Sequence, residues 1–303
     1  MKWDDQGSSI KIFPPLDFNF QECLVFLARS DQEILHHIMG DYLYKLLKIN
    51  GEFVLLKIGE NEQSIQVEFP IRTPAQSIKE QAAAYIWKWF DLDQELEGFY
   101  DMANKDKLLK DIVHNHFGLR IIGIPELFQA MAWAIIGQQI NLTFAYTLKK
   151  RFVEQYGESL TYEGNTFWLF PEPETIAKID KDELLKLQFS KRKAEYVIGV
   201  AKAMESGQLT KEALLHQQDY QQVHDSLMAI RGVGAWTADY VMMKCLHYPN
   251  AFPIADVGLH QAIKHQLGLE RKPTIAEIEE MSIYWEGWQA YATFYLWRSL
   301  YEW

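Results

Sequence analysis

Hydrophobic and polar residues alternate through much of the first third of the chain, a period that predicts β-strands. Residues 43–60 hold two runs rich in Leu, Ile, Val and Phe on either side of Asn50–Gly51, the strongest short signal for a β-hairpin. A further alternating run precedes Pro70, whereas residues 75–91 and 105–117 have the spacing of amphipathic helices. The pattern therefore predicts an antiparallel sheet accompanied by helices.

Near residue 119 the hydrophobic period changes to that of helices, and short Gly, Pro and Asp punctuation separates the segments. We therefore expect an α+β fold with two domains: an antiparallel-sheet domain at residues 1–118, followed by an all-α domain at residues 119–303. The segments with helical spacing in the second domain are 125–157, 180–187, 191–207, 223–230, 235–246, 257–268, 274–285 and 288–301.

The charge is unevenly distributed between these two parts. The 303 residues carry 30 Lys and Arg against 41 Asp and Glu, a net charge of −11, which on the usual reading speaks against a nucleic-acid partner. Residues 1–118 hold 12 of the basic and 19 of the acidic residues, and residues 119–303 hold 18 and 22. The helical part therefore carries only −4 of the net charge, and the objection to a nucleic-acid partner is weaker there.

Composition restricts the cofactors and the compartment. Cys23 and Cys245 each lie in an apolar stretch without a CxxC pattern, and the nine His show no ligand spacing. We therefore expect no metal bound through side chains, no disulfide framework and no required cofactor. The first residues lack the features of a secretory signal, and no apolar run reaches the roughly 18–20 residues that span a bilayer. The expectation is a soluble cytoplasmic protein with no membrane partner.

The most informative segment is LMAIRGVGAWTADYVMM at residues 227–243. A helix should run to about Ile230, turn tightly through Arg231–Gly232–Val233–Gly234 with residues that tolerate φ > 0, and continue as a second helix from Ala235. The unpaired N–H groups at that helix start, unobstructed by any Cβ on the glycines, could bind one backbone phosphate without a basic side chain. An ordinary helix–turn–helix corner is the alternative reading of the Gly-x-Gly pattern alone.

The longer pattern, hydrophobic-x-x-I-x-G-V-G-x-W-T-A-x-Y, resembles the helix-hairpin-helix DNA glycosylase superfamily, and within it the bacterial 3-methyladenine DNA glycosylase II branch. Residues 13–28, 119–141 and 189–204 are similar to that branch as well. The resemblance implies a sheet domain of TATA-binding-protein-like topology, then two helical subdomains flanking an active cleft. It also implies an enzyme that flips alkylated bases out of double-stranded DNA and hydrolyses their glycosidic bond. We expect a monomer.

Asp256 lies twenty residues after Trp236, behind a loop at Pro253 and just before an amphipathic helix. Taken alone it is a helix N-cap, where the helix dipole favours a carboxylate. Its spacing from the hairpin matches the catalytic aspartate of the superfamily. The resemblance therefore implies that Asp256 stabilises the oxocarbenium-like transition state and helps water attack C1′.

Position 236 separates two chemistries. Bifunctional relatives carry there a Lys that forms a Schiff base with the sugar, whereas this chain has Trp236, and the nearest amine is Lys244. We therefore expect a monofunctional glycosylase without lyase activity. The runner-up, an 8-oxoguanine or adenine-mismatch glycosylase, is disfavoured by that indole and by too few cysteines for a four-cysteine cluster. A non-catalytic binder of damaged DNA and a helical protein unrelated to DNA remain as other classes.

The ten Trp offer candidates for the base pocket. N-alkylated purines are cationic, and a cation over an indole face gains about 0.5–2 kcal/mol. Trp236 and Tyr240, four residues apart, would share one helix face. The resemblance adds Trp297 as the C-terminal stacking residue and Phe26 as an N-terminal ring near the pocket. The alternative for all four is ordinary core packing.

A helix is expected to break near Gly137 in GQQIN, residues 137–141. Family members place a polar substrate contact and an intercalating plug at the two positions after the Gly, here Gln138 and Gln139. The plug is Leu in the best-known branch, so Gln139 departs from the pattern. The expected DNA contacts are therefore Gln139 and the hairpin residues Arg231, Gly232, Val233, Gly234 and Ala235, and hairpins of this family often hold a monovalent cation on backbone carbonyls.

Overall fold

The computed structural model of the chain describes residues 1–217 and 219–301. Its N-terminal part contains a six-stranded antiparallel sheet with the strand order β1-β2-β6-β5-β4-β3. The strands are β1 Trp3–Asp5, β2 Ser9–Ile12, β3 His37–Met39, β4 Tyr42–Ile49, β5 Glu52–Asn61 and β6 Ser64–Glu68.

The predicted hairpin is confirmed at the centre of this sheet. Strands β4 and β5 pair in antiparallel register, with Ile49 opposite Glu52. Asn50 and Gly51 form the two-residue connection, and their φ angles are 53° and 80°. Positive φ at both central residues matches the right-handed twist of the flanking strands, which explains the choice of Asn-Gly.

Four helices accompany the sheet: α1 Phe20–Leu27, α2 Gln76–Trp89, α3 Glu97–Ala103 and α4 Lys110–Asn115. Helix α1 begins where the Asn19 side chain accepts a hydrogen bond from the Glu22 backbone N–H. One face of α1 is buried, and this burial fixes Phe26 next to the C-terminal helix. The helices predicted at 75–91 and 105–117 correspond to α2 and α4.

The expected α+β architecture, a sheet part followed by a helical part, is confirmed. The helices of the second part are α5 Leu127–Gly137, α6 Leu142–Tyr156, α7 Pro173–Ile176, α8 Lys181–Lys186, α9 Lys191–Glu205, α10 Lys211–His216, α11 Tyr220–Met228, α12 Ala235–Lys244, α13 Val257–Gln266, α14 Ile275–Met281 and α15 Gln289–Arg298, with a 3-10 turn at Ser282–Trp285.

One feature departs from an all-α second part. Strands β7 Ser159–Tyr162 and β8 Asn165–Trp168 form a hairpin around Glu163–Gly164, whose φ angles are 48° and 78°. Phe167 of β8 is buried with Leu46 and Leu55 of the large sheet. Packing of buried Phe167 on the N-terminal sheet therefore stabilises this small hairpin.

The two parts share one hydrophobic core, and ion pairs also connect them. Buried Arg120 contacts Asp17 at 2.7 Å, and Arg298 of α15 contacts Glu22 of α1 at 2.9 Å. The domain limit at residues 118/119 stays a prediction, since the packing is continuous across it. No helix within residues 1–217 and 219–301 is both long and apolar enough to cross a bilayer.

Candidate active site

The turn between α11 and α12 requires one of its two glycines for conformation. Gly232 has φ = 95°, and a Cβ there would lie 2.2 Å from the Tyr196 ring. Both the backbone and the close ring therefore exclude a side chain at this position. The turn is tight because the Val233 N–H donates to the Ile230 carbonyl at 3.0 Å.

Gly234 serves a different purpose, because positive φ is found at Gly232 and not at Gly234. Its φ is −100°, an ordinary extended value at the N-cap of α12. A Cβ built on it would meet no atom within 4 Å, and the residue is exposed. Among the described residues no side chain caps α12, so the first-turn N–H groups lie beside an open surface. That surface is suited to an anion.

The remaining predicted DNA contacts differ in what they can offer. Arg231 is exposed along 81% of its side chain and lies 3.3 Å from Glu195, so its guanidinium can reach a phosphate. Ala235 is exposed at the start of α12. Val233 is buried, and its N–H already bonds to Ile230, which leaves that residue without a free donor.

Gln138 and Gln139 point in different directions after α5 ends. Gln138 Nε2 donates to the Gly232 carbonyl and to Thr237 Oγ1, both at 3.0 Å, and so braces the hairpin. Gln139 is exposed with φ = 56°, an uncommon conformation for a residue with a side chain. Such backbone strain is typical of functional positions. The geometry thus separates a bracing residue from a protruding one.

Three N–H groups converge on the carboxylate of Asp256. Its Oδ1 accepts from the Leu259 backbone N–H at 2.8 Å, so Asp256 caps α13. Trp297 Nε1 donates to the same oxygen at 2.8 Å, and Trp236 Nε1 donates to Oδ2 at 3.1 Å. All three partners are donors, which suits an ionised carboxylate, and together they fix its orientation.

The predicted aromatic residues gather beside this carboxylate. The ring centroids of Trp236 and Tyr240 are 5.5 Å apart, and those of Tyr240 and Trp297 are 6.2 Å apart. Phe294 connects Phe26 to this group, at 4.4 Å from Phe26 and 6.3 Å from Trp297. The indoles of Trp236 and Trp297 are half-buried, whereas Tyr240 is 8% exposed. The three rings therefore line one side of the site, with Tyr240 at the greatest depth.

Two basic residues that were not predicted as site residues lie against these rings. The Arg29 guanidinium is 4.1 Å from the centroid of Phe26, and the Lys244 ammonium is 4.6 Å from that of Phe294. Burial lowers the pKa of Lys244 well below its usual value, and Arg29 lowers it further. Lys244 follows Tyr240 by four residues on α12, and this spacing is the one signal that could have indicated it.

Comparison with known protein families gives two matches that together cover most of the chain. Residues 132–289 match the HhH-GPD superfamily of base excision DNA repair proteins. Residues 15–131 match the N-terminal domain of 8-oxoguanine DNA glycosylase. The first match contains the hairpin, Asp256 and two of the aromatic residues around it.

A DNA-3-methyladenine glycosylase of Bacillus subtilis is 44% identical to this chain over 306 residues, covering 99% of this chain and 100% of that protein. The solved 3-methyladenine DNA-glycosylase of Archaeoglobus fulgidus superposes with a TM-score of 0.81 at 22% identity, covering 95% of this chain and 97% of that one. The 8-oxoguanine glycosylase/lyase of Clostridium acetobutylicum, solved with double-stranded DNA, gives 0.77 at 17% identity, covering 99% and 97%. The two structures establish the shared fold.

Proposed function

Because the chain belongs to the HhH-GPD superfamily of base excision DNA repair proteins, we propose that it is a monofunctional DNA glycosylase for alkylated bases in double-stranded DNA. The observation that carries the proposal is the Asp256 carboxylate, held by the N–H groups of Trp236 and Trp297. The substrates would include 3-methyladenine, the base named for the Bacillus subtilis relative, and also 7-methylguanine.

Asp256 is the proposed catalytic residue. As the glycosidic bond lengthens, positive charge develops on the sugar, and a fixed carboxylate beside it lowers the energy of the transition state. An N-alkylated purine is already cationic, so it leaves as a neutral base without needing a proton. Water then adds at C1′, and Asp256 is placed to accept its proton. No general acid is required for this substrate class.

The indole faces provide a binding surface for the flipped base. The ring centroid of Tyr240 lies within 6.2 Å of those of Trp236 and Trp297. Base-flipping enzymes hold the flipped base by stacking it on such rings. A cationic base gains about 0.5–2 kcal/mol over an aromatic face. The proposed pocket therefore prefers alkylated over normal purines.

The absence of lyase activity is proposed from the residue at 236. An indole cannot form a Schiff base, and the nearest amine along α12, Lys244, lies against the rings of Phe26 and Phe294 rather than at Asp256. An 8-oxoguanine glycosylase that also cleaves the strand would need an amine beside the sugar.

DNA would be anchored at the hairpin by the open amides near Gly234 and by Arg231, with Gln139 entering the space that the base leaves. A monovalent cation could bind the hairpin carbonyls, since those of Ile230 and Gly232 each accept one N–H and retain a second lone pair. We also propose that the protein acts as a monomer. The nucleoid would be its place of action.

The experiment is a base-release assay. The purified protein is incubated with duplex DNA treated with a methylating agent, with untreated duplex as the control, and the released bases are identified by chromatography. We expect methylated purines to be released and the abasic strand to stay intact until alkali is added. A third duplex that contains 8-oxoguanine tests the runner-up, which release of that base with strand cleavage would establish. Damage-dependent binding without any base release would establish a non-catalytic binder.

A further inference from the structure

A small internal chamber lies behind Tyr240, at the junction of the sheet and helical parts. Its volume is about 60 Å³, and its walls include Phe26 and Tyr240, which also belong to the aromatic group beside Asp256. About 10–15 Å³ of such space holds one water molecule. The chamber therefore has room for a small substituent in place of a few waters.

The walls of this chamber are rich in basic side chains. Arg29, Lys45, Lys149 and Lys244 line it, against one carboxylate, Glu33. Lys149 contacts Glu33 at 2.5 Å, so that carboxylate is already engaged. Lys45 donates to a backbone carbonyl at 3.1 Å, and Arg29 does so at 2.8 Å. Basic side chains thus outnumber acidic side chains on the wall of the chamber.

Lys244 is the basic wall residue for which the described part of the protein provides no hydrogen-bond acceptor. It is 3% exposed, and within the described part of the chain its Nζ has no hydrogen-bonding partner. Its neighbours are aromatic faces, at 4.6 Å and 5.3 Å from the nitrogen. Lys244 Nζ is not one of the fully enclosed, unpartnered polar atoms of the described residues, so it borders the open space of the chamber and can donate into it.

The position of Lys244 on α12 links the chamber to the proposed active site. Trp236, Tyr240 and Lys244 follow one another at intervals of four residues, so they form one stripe along the helix. Trp236 bonds to Asp256 at one end of this stripe, and Lys244 lines the chamber at the other. Tyr240 therefore belongs both to the proposed base-binding surface and to the wall of the chamber.

We propose that the chamber is an inner subsite for an anionic substituent of the alkylated base, and that it admits purines whose N-alkyl group ends in a carboxylate, such as N-carboxymethyl purines. This inference rests on the proposed function and names a further substrate class for that site. The carboxylate would replace water and accept hydrogen bonds from Lys244 and from the remaining donors of the wall. The methyl group of a methylated base would not fill the chamber, which would then hold water.

The test compares three duplexes that differ only at one guanine: N7-methyl, N7-carboxymethyl and the neutral isostere N7-carbamoylmethyl. Single-turnover release rates are measured for each. The wild-type protein should release the carboxymethyl base at least about tenfold faster than the carbamoylmethyl base, because hydrogen bonds to a charged group are the stronger ones. The rate on N7-methylguanine reports the proposed function itself.

Lys244→Met should reduce the carboxymethyl-to-carbamoylmethyl ratio about tenfold, since it removes the amine but keeps an unbranched chain between the rings. Lys45→Met, on the opposite wall, should lower the ratio as well and provides the test if Lys244→Met fails to fold. Lys79→Met is the matched control, because Lys79 is a buried lysine that bonds to Asp5 in the sheet part. It should leave the ratio unchanged.

Equal wild-type rates on the carboxymethyl and carbamoylmethyl bases would overturn the subsite, and so would an unchanged ratio in the folded Lys244 and Lys45 variants. In either case, release of N7-methylguanine would leave the proposed function standing. Failure to release any of the three bases would instead refute the proposed function, and the subsite with it.

Discussion

The orientation of the Asp256 carboxylate depends on Gly258, a residue without a side chain. Gly258 lies in the first turn of α13, and a Cβ there would be 2.9 Å from Asp256 Oδ1 and 3.3 Å from Trp297 Nε1. The φ of Gly258 is not in the left-handed region, so its backbone makes no demand for glycine. Space for the hydrogen bond between Trp297 and Asp256 is the reason for glycine at this position.

Gly258→Ala should therefore lower base release without unfolding the protein. The added methyl displaces the carboxylate, and misplacement of a reacting group by about 1 Å can cost roughly 100-fold in rate. We expect a loss of tenfold to 100-fold in the single-turnover rate. Gly199→Ala is the matched control, since Gly199 lies in α9 with no atom within 4 Å of its added Cβ. A wild-type rate in Gly258→Ala would show that this contact is not needed.

At the scale of single residues, the sequence predicts the site only in part. The closeness of Asp256 and Trp236 could be anticipated, because both belong to one hairpin-and-helix unit. The contact of Trp297, 41 residues further along, depended on resemblance. Arg29 and Lys244 were not predicted as site residues, since their burial depends on α1 packing against distant helices.

The hairpin between α11 and α12 is the element that the proposal assigns to DNA. Its two glycines have separate roles: Gly232 fits beneath the Tyr196 ring, whereas Gly234 borders open space. Fold stability and phosphate binding therefore depend on different positions in the same turn.

This separation can be measured with a matched pair of variants. Gly234→Ala should leave the thermal unfolding temperature within a few degrees of wild type but weaken DNA binding about tenfold, because its methyl group obstructs the amides that would contact a phosphate. Gly232→Ala should lower both stability and binding, since alanine is strained at φ = 95° and collides with Tyr196. Unchanged DNA affinity in Gly234→Ala, measured by fluorescence anisotropy at low salt, would remove the hairpin from the interface.

Elements with a strong period were predictable, and elements that depend on distant packing were not. Helices α9 and α13 combine an apolar stripe with a capping side chain, Ser190 and Asp256, so their starts are encoded locally. The β7–β8 hairpin was missed because its strands have four residues each and depend on burial of Phe167 against the other part of the chain.

Across the whole molecule, the sheet part and the helical part are joined around the cation-lined chamber. His36 lies on its wall, with Nε2 3.1 Å from the Leu27 carbonyl oxygen and its ring 6.0 Å from Trp89. Burial lowers the pKa of His36 to about 4, and the nearby Lys45 and Lys149 act in the same direction against Glu33. This histidine is therefore neutral in the folded protein at neutral pH.

Acidification should weaken this junction. Between pH 6.5 and about 4 the unfolded chain binds a proton at His36 that the folded chain does not. The contribution of neutral His36 to the free energy of unfolding is therefore fully present above pH 6.5, and it falls as the pH decreases toward 4. His36 should account for a loss of about 2 kcal/mol between pH 7 and pH 5. Urea unfolding at both values should show a smaller loss in His36→Gln than in wild type and no such reduction in the exposed-residue control His114→Gln. An equal loss in wild type and His36→Gln would contradict this assignment.

The most direct test of the proposed chemistry is the single-turnover rate of base release by Asp256→Asn on duplex DNA that contains 7-methylguanine. Asparagine preserves the size of the side chain and one accepting oxygen but removes the negative charge. We predict that the single-turnover rate falls about 100- to 1000-fold, which is the effect of losing one preorganised electrostatic contact. The affinity for duplex that contains an abasic analogue should stay at the wild-type value. Release at the wild-type rate would contradict the central role of Asp256.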